Sequence, residues 1–225
     1  MNTKKLEIFG DSVLRGVMYD ETLQTYRLRD GYALDTIASE GITVKNNSRM
    51  GATVGKSVGL VEKKLSECNS DTLVIFEYGG NDCDYDWKDI SESPRKEHSP
   101  HTSPEIFVNT YREMILSAKK KGATVALTSL VPIDCSKYMK WICRNLSYEN
   151  ILSWLGDESM LFRWQEYYSH LVENLARELE CCFIDLRRGF LLSHEYDRLL
   201  CADGIHPTQK GHEMIEKTIA NFVCI

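Results

Sequence analysis

Lys5-Leu6-Glu7-Ile8-Phe9-Gly10-Asp11-Ser12-Val13-Leu14-Arg15-Gly16 decides how the rest of this chain is read. A short apolar run breaks through Gly-Asp-Ser into a helical start, the pattern of a strand passing into a helix. Open α/β sheets bind ligands just beyond the carboxyl ends of their strands, so a side chain lifted there by such a turn faces ligand rather than core. Ser12 is therefore the candidate nucleophile. A serine hydroxyl is weak alone, so the chain must also supply a base and donors for a developing oxyanion.

Outward from that turn, strand-like and helical segments alternate to the end of the chain, the signature of a parallel sheet covered on both faces. The strands are expected at about Lys5 to Phe9, Gly41 to Asn46, Asp71 to Glu77, Ala123 to Thr128 and Cys181 to Asp185. Asp71 to Glu77 is a near-continuous apolar run, as a central strand buried on both sides requires. After Ser12 the stretch to Asp30 is expected to begin as a helix, with another near Tyr32 to Ser39. Thr53 caps a helix toward Cys68, and Glu105 to Lys121 is amphipathic with a cationic last turn and Gly122 behind it. Long helices are expected over Asp157 to Glu180 and from His212 to about Phe222, with a partly helical stretch between Leu186 and Leu200. Cys83 to Pro104 and Leu130 to Gly156 show no clear period and read as insertions near the strand ends. The whole is expected to be one domain over residues 1–225.

The formal charge of -6, from 27 basic and 33 acidic residues, argues against general attraction to nucleic acid or an anionic membrane. No apolar run approaches the roughly 20 residues that span a bilayer, and Met-Asn-Thr-Lys-Lys leads straight into a strand. A cytoplasmic protein is expected, or a secreted one if a signal peptide has been removed. The eight cysteines have no C-x-x-C pair and no metal-ligand rhythm, and read as mostly buried free thiols. An even count leaves disulfides open in a secreted chain.

Acyl transfer to serine needs a base, a group that orients it, and oxyanion donors. Asp203 and His206 are three residues apart before Pro207, so one turn delivers both: His206 as base, Asp203 as its orienter. The amides of Ser12 and Gly51 and the side chain of Asn81 supply the oxyanion site, glycine permitting close backbone approach. Each residue alone has a plainer use. Ser12 or Asp203 could cap a helix, Gly51 could be a turn residue, Asn81 a loop amide and His206 a solvated histidine. His212 reads as structural, and His98 and His101 as exposed. Asp82, Asp84 and Asp86 alternate as in a calcium loop but lack the glycine and glutamate at the required offsets, so Asp84 and Asp86 read as a solvated face and Asp82 as a partner of loop backbone. Asp11, Tyr85, Trp87 and Trp141 are candidates for substrate contact. The aromatic residues, Trp154 among them, are either packing anchors or walls of an acyl or sugar pocket.

Gly10-Asp11-Ser12, Gly51 after Asn46-Asn47-Ser48, Gly79-Gly80-Asn81-Asp82 and Asp203-Gly204-Ile205-His206-Pro207 resemble, in order, the four sequence blocks of the SGNH hydrolases, the GDSL esterase/lipase superfamily. The resemblance implies an α/β class, three-layer α/β/α flavodoxin-like fold with a five-stranded, mostly parallel sheet. It also implies Ser12, Asp203 and His206 as a triad, Gly51 and Asn81 as oxyanion donors, and hydrolysis of an ester or thioester without metal or cofactor. Val13-Leu14 depart from the small or polar residues frequent after that serine, which bears on substrate breadth. The polar, aromatic-bearing insertion suggests a small-molecule ester carrying a short acyl group, such as acetyl, on a polar or carbohydrate alcohol. Alternatives are a lysophospholipase or thioesterase-type acylhydrolase, a phosphoesterase holding two cations on Asp11, Asn81, Asp82, Asp203 and His206, and a non-catalytic binder of acylated ligands.

Overall fold

A computed structural model describes residues 3–29, 31, 37 and 41–223. Its strands are β1 (Lys5–Gly10), β2 (Val17–Asp20), β3 (Thr25–Leu28), β4 (Thr43–Asn46), β5 (Thr72–Glu77), β6 (Thr124–Thr128) and β7 (Cys182–Ile184). Five of them form one sheet in the order β4-β1-β5-β6-β7, every pairing parallel. Without the separate hairpin, this is the doubly wound order 2-1-3-4-5, whose direction of winding reverses between β1 and β5.

Strand geometry sends successive side chains to opposite faces, and the core divides accordingly. Phe9, Val74, Phe76, Val125 and Leu127 point to one side and meet α2 (Val54–Leu65), α4 (Pro104–Lys120) and α7 (Ser159–Glu178). Leu6, Ile8, Leu73, Ile75 and Ala126 point to the other and meet α8 (Leu186–Leu191) and α9 (Gln209–Val223). β5 is buried along its whole length, as its apolar run requires. Helix starts follow their sequence signals: Thr53 accepts from Lys56 N, and Ser103 caps α4 with Pro104 in its first turn.

The stretch after Ser12 does begin as a helix, α1 (Ser12–Arg15), but it ends at Gly16 and turns into the antiparallel pair β2–β3. Asp20 builds the turn by accepting from the Thr22 and Leu23 amides and pairing with Arg27. Alternation in Val17-Met18-Tyr19 and Thr25-Tyr26-Arg27 wins there over helix propensity. The helix expected near Tyr32 to Ser39 lies outside the described residues, except Ile37, which is buried in the second core.

The two insertions are more regular than the sequence suggests. Residues 83–104 contain α3 (Trp87–Glu92), and residues 130–156 contain α5 (Cys135–Ile142), a 3₁₀ turn (Cys143–Asn145) and α6 (Tyr148–Leu155). Helices this short show barely two turns of periodicity, and each is started by a cap: Asp86, Asp134 and Ser147 all accept from an amide three residues on. Together they form a third apolar cluster around Ile90, Met139, Ile151 and Leu161. No described helix is long and apolar enough to cross a membrane. The cysteines among the described residues are free thiols, buried at Cys68, Cys83 and Cys201 and half-buried at Cys135, Cys143, Cys181 and Cys182.

Candidate active site

β1 ends at Gly10, where a Cβ would stand 2.9 Å from Glu77 Oε2 on the neighbouring β5, so only glycine fits. Asp11, rather than Ser12, caps α1: its Oδ1 accepts from Val13 N at 2.8 Å. That leaves the Ser12 side chain to project from the first helical position. The loop before α2 is stitched to this turn by Arg49 N donating to Gly10 O, Asn46 Nδ2 to Leu14 O and Arg15 Nη1 to Ser48 O. Gly51 is thereby held beside Ser12 with φ of +69°, where glycine is unstrained.

Ser12 Oγ lies 2.9 Å from His206 Nε2, and His206 Nδ1 lies 2.6 Å from Asp203 Oδ2. Asp203 Oδ1 also accepts from the amides of Ile205 and His206, so the turn fixes its carboxylate before the imidazole uses it. Ser12, Asp203 and His206 are 7%, 0% and 5% exposed, which shields the chain of hydrogen bonds from water. A carboxylate on Nδ1 sets the tautomer that leaves Nε2 able to accept the serine proton. Tyr26 of β3 packs its ring 5.0 Å from that of His206, and burial together with the Asp203 charge raises its phenol.

Asn81 Nδ2 donates to Asp11 Oδ2 at 2.8 Å, and an amide nitrogen carries two hydrogens, so one donor remains. Asp82 is wholly buried with both oxygens on Val54 N, a backbone partner as expected; burial pushes its carboxyl up to about 6. The acids of the two-cation alternative thus each have a protein partner: Asp11 holds Val13 and Asn81, Asp82 holds Val54, and Asp203 holds His206. Among the described residues, no group of three or more His, Cys, Asp or Glu is placed to hold a metal ion.

Ser12, Gly51, Asn81 and His206 border one cavity of about 330 Å³. Its far walls come from the insertions and α7: Tyr85, Trp87, Tyr138, Trp154 and Trp164, with Leu130, Ile133, Leu155 and Leu161 between them. The rings brace one another, Tyr85 standing 4.9 Å from Trp154 and 5.7 Å from Trp87. Asp84 is no solvated loop acid. It accepts from Trp87 Nε1 at 2.8 Å and from Tyr138 Oη at 2.7 Å, and burial raises its carboxyl. Trp164 Nε1 donates to Cys83 O, and Gln165 is held between Val131 O and Arg187. The indole nitrogens of Trp87 and Trp164, the Tyr138 hydroxyl and the Gln165 amide are thus bonded within the protein, and the wall is mainly carbon.

Of the candidates for substrate contact, Asp11, Tyr85 and Trp87 border this cavity and Trp141 does not. Trp141 packs edge-on against Tyr19 at 4.5 Å, with the Arg144 guanidinium 3.3 Å over its ring, so it supports the β2–β3 hairpin instead. Asp86 is exposed, as expected of a solvated face, and its side chain also caps α3. The His98 ring is covered, its side chain 5% exposed, with Nε2 2.9 Å from Ser93 O and Nδ1 3.0 Å from Asp89; His101 is exposed. His212 is buried against Val17 O, and burial lowers its imidazole to about 4. The sequence alone does not single out Trp164, Glu77 or Tyr26. Trp164 sits within an amphipathic helix that reads as packing, whereas the alternation around Tyr26 was a usable signal.

A wholly parallel sheet wound in this order, covered by helices on both faces, with serine, histidine and aspartate aligned at one end, is a three-layer α/β/α fold. The chain belongs to the GDSL-like Lipase/Acylhydrolase family, whose model matches residues 8–214, and it is an ester-bond hydrolase. The comparison with curated proteins gives no match. Among solved structures, a lipase/acylhydrolase from Enterococcus faecalis is 19% identical with a TM-score of 0.64, the match covering 98% of this chain and 95% of that one. Axe2, an acetylxylan esterase from Geobacillus stearothermophilus, is 19% identical with a TM-score of 0.64 over 99% of this chain and 94% of that one. A member of the lipolytic protein G-D-S-L family from Veillonella parvula is 18% identical with a TM-score of 0.64 over 96% of each chain. At such identities these likenesses establish the fold.

Proposed function

We propose that the chain cleaves carboxylic esters through an acyl-enzyme on Ser12. The observation that carries this reading is the unbroken line from Ser12 Oγ through His206 to Asp203, with contacts of 2.9 and 2.6 Å. His206 Nε2 takes the serine proton as Oγ bonds to the ester carbonyl carbon, and Asp203 steadies the resulting imidazolium. The carbonyl oxygen becomes an oxyanion held by the amides of Ser12 and Gly51 and the remaining N–H of Asn81. As the tetrahedral intermediate collapses, the bond to the alcohol oxygen breaks and His206 returns the proton to it. Water then repeats the sequence on the acyl-serine, freeing the acid and regenerating the hydroxyl.

The cavity favours an acyl group larger than acetyl. Its walls are aromatic and aliphatic, and the polar atoms of Trp87, Tyr138, Trp164 and Gln165 are already bonded within the protein. Burying apolar carbon there is worth roughly 25 cal/mol per Å². A second reading, acetyl on a polar or carbohydrate alcohol, is supported by the likeness to Axe2, with the aromatic walls then meeting the sugar. Acetate, hexanoate and decanoate p-nitrophenyl esters separate the two. We expect kcat/KM to rise from acetate to hexanoate by on the order of tenfold; a fall with length favours the acetyl reading. Ser12→Ala should remove turnover of every ester while leaving the unfolding temperature within a few degrees of wild type. Turnover surviving that change excludes the acyl-enzyme.

A further inference from the structure

Beneath Ser12 lies a pair of acids that the triad does not use. Asp11 is 2% exposed and Glu77 1%. Asp11 N donates to Glu77 Oε2 at 3.2 Å, which sets the two acids side by side. Glycines make room for both: a Cβ on Gly10 would stand 2.9 Å from Glu77 Oε2, and one on Gly80 would stand 3.3 Å from Asp11 Oδ2.

Two buried carboxyls side by side are costly, because burial strips each of solvation and their charges repel. Capping α1 needs a single acceptor oxygen, which a serine supplies without that cost. Asp11 has a second oxygen, and it takes the Asn81 amide at 2.8 Å while the first holds Val13 N. One side chain thus ties the turn that carries Ser12 to the loop that carries Asn81. Burial raises both carboxyls above their usual range, Glu77 further because the Asp11 charge stands beside it. Glu77 accordingly holds a proton more readily than Asp11, whose second oxygen is the acceptor that Asn81 uses.

We propose that Asp11 is a positioning residue that acts through Asn81, and that Glu77, hydrogen-bonded beneath it, holds Asp11 in the orientation this requires. The proposal rests on the reading of Ser12 as nucleophile and Asn81 as oxyanion donor. An untethered Asn81 rotates, and its remaining N–H no longer waits where the oxyanion forms. The loss falls on the transition state, so kcat drops while KM is nearly kept.

A double-mutant cycle tests this. Asp11→Ser keeps the cap on Val13 and removes the oxygen that holds Asn81. We expect kcat to fall roughly tenfold to a hundredfold, with KM changed by less than about threefold, and Asn81→Ala to cost on the order of a hundredfold. The double variant should be no slower than Asn81→Ala alone. Multiplied losses in the double variant, or a rise in KM that accounts for the loss, overturn the proposal. If Asp11→Ser does not fold, Glu77→Gln and Glu77→Leu serve in its place. The glutamine can still accept from Asp11 N and should stay within about threefold of wild type, whereas the leucine should lose kcat, and not when Asn81 is already alanine; equal losses from glutamine and leucine overturn it. Fluorophosphonate labelling of wild type keeps the two readings apart. Labelling with multiplied losses sinks the positioning role alone, whereas absent labelling and absent turnover sink the reading of Ser12 first.

Discussion

At the strand ends, residues 10–12, 79–82 and 203–206 bury Asp11, Ser12, Asp82, Asp203 and His206, each hydrogen-bonded to a neighbour. Across the cavity, residues 83–104 and 130–156 offer the rings of Tyr85, Trp87 and Trp154, with Asp84 turned inward to hold two of the wall's hydroxyl and indole groups. One region spends buried polarity on chemistry, and the other uses it only to fix an apolar surface. On the proposed function, reactivity and choice of substrate fall to separate parts of the chain, and changes in one should leave the other's signature intact.

The largest expected effect lies in the strand-end frame. His206→Ala should lower kcat by on the order of ten-thousandfold or more for every ester, with the ranking of chain lengths preserved in whatever activity remains. A changed ranking would break the division, because it would make His206 part of the substrate wall. Next comes the pH response of Asp82, whose carboxyl is raised by burial from 3.8 to about 6. The folded state therefore binds that proton more tightly than the unfolded state. Its stabilisation is fully present below about pH 4 and is lost as pH rises through about 6, a change of about 3 kcal/mol. Urea unfolding at a series of pH values should show wild type losing stability relative to Asp82→Asn across that window, with a flat difference above pH 7. A difference of the opposite sign contradicts the account of Asp82 as a buried, cation-free acid. Smallest is Trp154→Ala, which should lower kcat/KM for hexanoate about tenfold more than for acetate. Equal losses on both esters would remove Trp154 from the acyl wall.

The same contrast explains what the sequence made legible. Strand-end residues are placed by backbone turns, and turns carry residue signatures: Gly-Asp-Ser after an apolar run, Asn-Asp after paired glycines, Asp-Gly-Ile-His before a proline. The first two close legible strands, and the third, well beyond the last strand, is legible as the final block of the ordered set. The wall is placed by side-chain packing, which has no such signature. Trp87 and Trp141 look alike in sequence, yet Trp87, held by Asp84 and Tyr138, borders the cavity and Trp141, packed on Tyr19, braces a hairpin, because tertiary contacts decide which way each ring points. Helices of six to eight residues within the insertions escaped for a related reason: caps and tertiary packing form them, and their periodicity is too short to see. Alternating acids such as Asp84 look solvated in sequence until the aromatic groups that cover them are known.

The most direct trial of this account is covalent labelling by a fluorophosphonate, followed by mass analysis of the peptide carrying residue 12. An activated hydroxyl should take up one phosphonyl group per chain, at Ser12 and nowhere else, with uptake abolished in Ser12→Ala and slowed by orders of magnitude in His206→Ala. Wild-type protein that stays unlabelled, or that labels equally fast without His206, would contradict it.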